Sequence, residues 1–182
     1  MSIQAPTRTV WQIDPAHVHV GFKTKHMMVT TVRGQFHEVK GDILGDLEDP
    51  TNATVEVEIN AATIDTRQEQ RDNHLRSADF LDVENFPTIT FKSTRIQRLK
   101  EDHLKIFGDL TIHGTTREVE LDTTINGSGK TPFGTEVIGV SAETKINRKD
   151  FGLTWNVALE TGGWLVGDKI DIELEIELIK QS

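Results

Sequence analysis

The segment "DKIDIELEIELI" near the C-terminus fixes the kind of fold this chain can adopt. Ile170, Ile172, Leu174, Ile176 and Leu178 alternate with Asp171, Glu173, Glu175 and Glu177. Successive side chains of a strand point to opposite faces, so one face is wholly aliphatic and the other wholly acidic. Stacked carboxylates need water, which leaves the aliphatic face to a dry interior. The pattern recurs through Val18, Val20 and Phe22; through Val55, Val57 and Ile59; through Leu104, Ile106, Leu110 and Ile112; through Val119, Leu121, Thr123 and Ile125; and through Ile138, Val140, Ala142 and Ile146. Phe151, Leu153, Trp155, Val157 and Leu159 read as a further strand, and "NGSGKTPFGTE" (126–136) as one long hairpin loop. Eight to ten strands with short connections should pair antiparallel. The expected fold is all-β with one short helix: a closed antiparallel barrel of about eight strands, whose interior is either filled by side chains or holds one ligand. Long strands favour a tall barrel over a compact sandwich.

The composition narrows what such a barrel does. The 182 residues suit one domain, with a leader at 1–9 and the barrel at 10–180. A net charge of -9 argues against nucleic acid and against anionic lipid headgroups as partners. The chain has no cysteine, which excludes thiol nucleophiles and Cys-ligated metal. No apolar run approaches the ~20 residues of a spanning helix, so stable membrane insertion is not expected. The N-terminus lacks a signal-peptide pattern. A cytoplasmic location is therefore expected if Met1 is the natural start, and a periplasmic one if the N-terminus is truncated.

One stretch, "DNHLRSADFLDVENFPTITF" (72–91), interrupts the alternation. A polar helix is expected, opened by a capping-box pattern of Thr66 with Glu69. Phe80, Leu81, Val83 and Phe86 follow, and Pro87 enforces an extended residue before the next strand. So polar a helix lies on the surface or across a barrel end, with the aromatic turn as a plug.

This stretch closely resembles the signature segment of the YceI-like, polyisoprenoid-binding family. "WQIDPAHVHVGFKTKHMMVTTVRGQF", "GDLTIHGTTREVEL", "INRKDFGLTWN" and "VGDKIDIELEIEL" resemble the family's other motifs, in order, across residues 10–180. A Ser often follows the first His in the family; here Val18 stands there, and any polar role of that Ser is lost. The resemblance implies a lipocalin-like barrel whose apolar pore holds an isoprenoid or other long-chain amphiphilic lipid, fatty-acid-like ligands included, with no cofactor. Many family members carry a secretion signal, which this N-terminus does not display.

The residues expected to border the ligand are Val20, Phe22, His26, Phe36, Phe80, Phe86, Ile89, Phe91, Phe151, Leu153, Trp155 and Trp164. Arg148 and Lys149 meet either a headgroup or only solvent. His17 and His19 should face outward, on solvent or hydrogen-bond duty, and no metal site is expected. Asp72, His74 and Ser77 have the residue types of a hydrolytic triad, but helical spacing points Asp72 and His74 apart. "GSGKT" (127–131) lacks the spacing and the following helix of a phosphate loop. The rival reading is an enzyme on a small hydrophobic substrate. It would draw on His26, Thr24, Ser93, Thr123 and Thr144, a thin set for catalysis. A third reading is an interaction module with a filled barrel. A homodimer is compatible with the sequence.

Overall fold

The computed structural model describes residues 8–182; residues 1–7 of the expected leader lie outside the described residues. Ten strands form: β1 (Val10–His26), β2 (Thr30–Phe36), β3 (Val39–Leu44), β4 (Thr54–Asn60), β5 (Ile64–Asp65), β6 (Thr88–Arg98), β7 (His103–Ile112), β8 (Thr115–Lys130), β9 (Glu136–Asn147) and β10 (Lys169–Lys180). Every pairing is antiparallel. Eight strands close a ring in the order β1-β10-β9-β8-β7-β6-β4-β3 and back to β1. Closure pairs the edges of these eight strands, which would otherwise template aggregation, and leaves β2 and the two-residue β5 as a flap beside β1.

The 17-residue β1 makes the closure. Its first residues, Val10–Gln12, pair with β3, and Val20–His26 pair with β2 on the same side. A bulge between Ile13 and Val18 joins the two halves against β10. Asp14 clasps that bulge, accepting from the Ala16 N–H at 2.9 Å and lying 2.7 Å from His17 Nδ1. Along β10 the apolar residues face the interior while Glu173 and Glu175 stay exposed. β7 buries Leu104, Ile106, Leu110 and Ile112 the same way. A barrel with an apolar inside and a charged outside has its faces opposite to those of a membrane-spanning barrel. Among the described residues no helix is long and apolar enough to cross a membrane.

Three expectations need correction. The helix α1 spans Glu69–Arg76, and its N-cap is Gln68, whose side chain accepts from the Arg71 N–H at 2.7 Å. Thr66 does not cap it, because Arg67 adopts φ 63° and turns the chain between them. Thr66 instead donates its N–H and hydroxyl to the buried Asp72 carboxylate, at 2.8 and 2.5 Å. The stretch 151–159 is not a strand. Arg148–Phe151 form a short 3-10 helix, and the Arg148 guanidinium donates to the carbonyls of Leu153 and Trp155, acceptors a sheet ladder would have used. The 126–136 loop is shorter than expected, since β8 runs to Lys130 past a register shift after Ile125.

Candidate ligand cavity

The inner face of the ring does not meet itself across the axis. Fully buried side chains form two clusters, one around Phe91, Ile106, Leu110 and Phe151, the other around Trp11, Val20, Ile138 and Leu178, joined around the wall by half-buried Phe36, Val57, Ile59 and Ile125. Between the clusters lies a cavity of about 320 Å³ that follows the barrel axis. At the α1 end it is bounded by Thr24, Leu75, Phe80, Leu153 and Val166, and at the other end by Trp11, Leu47, Pro50, Ile96 and Leu104. Val55, Val57, Leu121, Leu174 and Ile176 point inward yet are only half-buried, as side chains lining a hollow are.

Two glycines shape this wall. A Cβ on Gly34 would collide with the Phe22 ring, and one on Gly108 with the Phe91 ring. Each ring therefore lies flat over a neighbouring strand instead of crossing the axis.

The wall is chemically quiet. Thr24 Oγ1 donates to the Lys169 carbonyl at 3.0 Å, and Thr123 Oγ1 to the Leu121 carbonyl at 3.1 Å. Ser93 Oγ accepts the Val55 N–H at 2.8 Å. The ionisable lining residues are Asp46 at one end and Arg148 at the other. Arg148 is 2% exposed. It donates to the carbonyls of Gly167, Leu153 and Trp155, and its Nη2 lies 3.6 Å from Asp168 with no hydrogen-bond partner. Burial lowers its pKa, partly offset by Asp168. It is thus no ordinary surface charge; it organises the loop that covers this end.

Of the residues expected to border a ligand, Val20, Phe22, Phe36, Phe80, Ile89, Phe91 and Leu153 line the cavity. His26, Phe86, Phe151, Trp155 and Trp164 stand elsewhere. Phe151 is 1% exposed within solid core. Trp155 packs edge-on to His74 at 4.6 Å and beside Phe80 at 5.3 Å, behind the cavity end. Phe86 packs on His113 at the β7–β8 turn. His26 bridges Val166, and Trp164 is 53% exposed. Phe86, Trp155 and Trp164 sit in turns and loops, where no period tells inside from outside; Phe151 closes a short 3-10 helix, and His26 is the last residue of β1, where the chain turns away from the cavity. The aliphatic lining residues, Val57 and Leu174 among them, were marked by the strand alternation rather than by aromaticity.

His17 and His19 face outward, His19 Nδ1 lying 3.1 Å from Gln35 Oε1. Asp72, His74 and Ser77 make no catalytic relay. Asp72 is engaged by Thr66, His74 Nε2 lies 2.9 Å from Asp79, and Ser77 Oγ donates to the His74 carbonyl at 2.6 Å.

Comparison with known proteins agrees with this architecture. The YceI-like domain family matches residues 11–178. A UPF0312 protein of Staphylococcus aureus is 37% identical over 170 residues, covering 93% of this chain and 96% of its own. The solved YCEI protein of Campylobacter jejuni is 30% identical with a TM-score of 0.74, over 87% of this chain and 90% of that one. A polyisoprenoid binding domain from Saccharophagus degradans shares the fold at 12% identity, with a TM-score of 0.69 over 94% of this chain and 98% of its own. On the strength of a match spanning nearly its whole length, the chain belongs to the YceI-like family.

Proposed function

We propose that this protein binds an isoprenoid or other long-chain amphiphile without chemically altering it, for carriage or storage, the tail lying along the barrel axis. The observation that carries this reading is the axial cavity of about 320 Å³ with an almost wholly hydrocarbon wall. It offers room for at least about ten methylene-sized groups. Burying a methylene contributes roughly 0.8 kcal/mol, so ten supply on the order of 8 kcal/mol before the costs of association and chain ordering. A tail needs no polar anchor at that magnitude. The fold shared with a protein described as a polyisoprenoid binding domain supports the ligand class. The wall favours binding over turnover, because Asp46 and Arg148 stand at opposite ends and do not converge on one point.

Organic extraction of the purified protein followed by mass spectrometry tests the proposal. A stoichiometric amphiphile is expected. No co-purifying lipid, together with no uptake of added polyprenyl lipid or fatty acid, would overturn it.

A further inference from the structure

The end of the barrel bearing α1 also carries the turn between β1 and β2. β1 and β2 are joined by a three-residue loop, 27–29, in which the Val29 N–H bonds the His26 carbonyl at 3.1 Å and puts Met27 and Met28 at the centre of a β-turn. Both methionines have positive φ, 51° and 63°. That geometry suits Asn-Gly and is sterically disfavoured for methionine. The β7–β8 turn at the same end has the same left-handed backbone, and there the second residue is Gly114. Met27, Met28 and Val29 are 45%, 68% and 76% exposed, so packing within the fold does not account for their choice.

These side chains do not stand alone. The Met27 N–H bonds the Leu165 carbonyl at 2.9 Å, and Met28 reaches Gly163, which brings the turn against the loop carrying Val157 and Trp164. Those two are 45% and 53% exposed. Five large apolar side chains thus project from two loops braced against each other. The patch lies over one end of the cavity, where Thr24 and Val166 form the wall. The net charge of -9 does not describe this end. Segment 23–33 carries Lys23, Lys25 and Arg33 and no carboxylate. Segment 149–169 adds Lys149 and Lys169 against Asp150, Glu160 and Asp168, the last of these paired with Lys149 at 3.2 Å. Lys23 stands opposite Asp171 across the sheet, so the cations open to a surface at this tip are Lys25, Arg33 and Lys169, against Glu160 in the loop itself; screening limits the reach of carboxylates farther off to about 8–10 Å.

We propose that the β1–β2 turn and the 157–166 loop dock the barrel end on a bilayer surface bearing anionic headgroups, the apolar side chains entering the interface and the lysines meeting the headgroups. Methionine, valine and tryptophan on a loop tip flanked by cations suit that boundary. The purpose of docking, exchange of a lipid with the cavity beneath, rests on the binding function proposed above; the docking itself does not.

The test is co-sedimentation of the full chain with vesicles of phosphatidylcholine alone and with about a fifth phosphatidylglycerol. Binding to the anionic vesicles is expected, weakened at least about tenfold on neutral vesicles or in high salt. Met27→Asn with Met28→Gly suits the turn geometry better and keeps the fold, yet should lose about tenfold or more of the binding. Trp164→Ser should weaken binding independently. The proposal is overturned if the wild type stays in the supernatant with both vesicles, or if the variants sediment like the wild type. It is equally overturned if light scattering shows a dimer that the variants abolish, since the patch would then face a second copy. Uptake of a fluorescent fatty acid, measured without vesicles, separates the two readings. Uptake retained in the turn variant localises its defect to docking, whereas uptake absent from the wild type strikes the proposed ligand binding and leaves the vesicle result to decide docking.

Discussion

Ala142→Trp separates a hollow barrel from a filled one. Ala142 lies on β9, faces the cavity, and is flanked across the sheet by Thr123 and Leu174. In a filled core an indole at this position would overpack, at a cost of about 1–3 kcal/mol or more. In the cavity it finds empty space. Roughly 150 Å² of newly buried apolar surface at ~25 cal/mol/Å² is worth about 4 kcal/mol as an upper bound. Ordering the side chain costs about 1 kcal/mol, and imperfect fit costs about as much again. The expected change is therefore zero to about 2 kcal/mol of stabilisation, the opposite sign from overpacking. The same indole would displace about four methylenes of a tail, near 3 kcal/mol, or more than a hundredfold in affinity. Urea denaturation reads the first quantity, and displacement of a fluorescent fatty acid reads the second. A variant that is destabilised by 2 kcal/mol or more and binds as before would refute the reasoning, because the space at Ala142 would then be neither empty nor used.

Three further perturbations probe the wall and its supports. Arg148→Met removes the donors to three carbonyls around a buried site, and should destabilise the fold by about 3–5 kcal/mol, with faster hydrogen exchange across 152–168; unchanged exchange there would deny Arg148 its organising role. Gly34→Val forces the Phe22 ring off its seat and should cost about 1–3 kcal/mol in the denaturation midpoint, a larger loss than the same change at Gly129, which has open space beside it. The Asp14–His17 clasp sets a pH window. The hydrogen bond that the His17 ring donates to Asp14, then the negative charge of Glu177, raises the His17 pKa above its ordinary 6.5. That contribution is full below 6.5 and is lost as pH rises through the raised folded value. The His17 hydrogen bond, then the Ala16 N–H, lowers the Asp14 pKa below its ordinary 3.8. That contribution is present above 3.8 and is lost as pH falls through the lowered value. The clasp should therefore hold best between the two, and Asp14→Asn should lower the His17 midpoint in an NMR titration; an unmoved midpoint would rule out the clasp.

The strands were legible because water constrains them. In β10 each outward residue from Asp171 to Glu177 is an acid, so no other register was open. The 151–159 stretch has the same alternation and is no strand, because one buried guanidinium captures its carbonyls, and hydrogen-bond competition at that distance leaves no trace in hydropathy. The start of α1 was misplaced for a similar reason. Thr66 and Glu69 have capping-box spacing, but the backbone at Arg67 breaks it, and Thr66 finds Asp72 instead. For the cavity, alternation shows which side chains point inward and not whether opposing ones touch. Phe22 and Phe91 were marked as lining, and the glycines that let them lie flat, Gly34 and Gly108, are what keep the axis open. Trp155, Trp164 and Phe86 belong to loops, so aromaticity alone could not place them.

The central claim is that an elongated space runs along the barrel axis and takes a hydrocarbon chain. A crystal structure of the protein soaked with a brominated fatty acid tests it most directly. Anomalous density between Phe91 on one side and Leu174 on the other is the predicted result. Side chains meeting across that span, with bromine found only on the exterior, would contradict it.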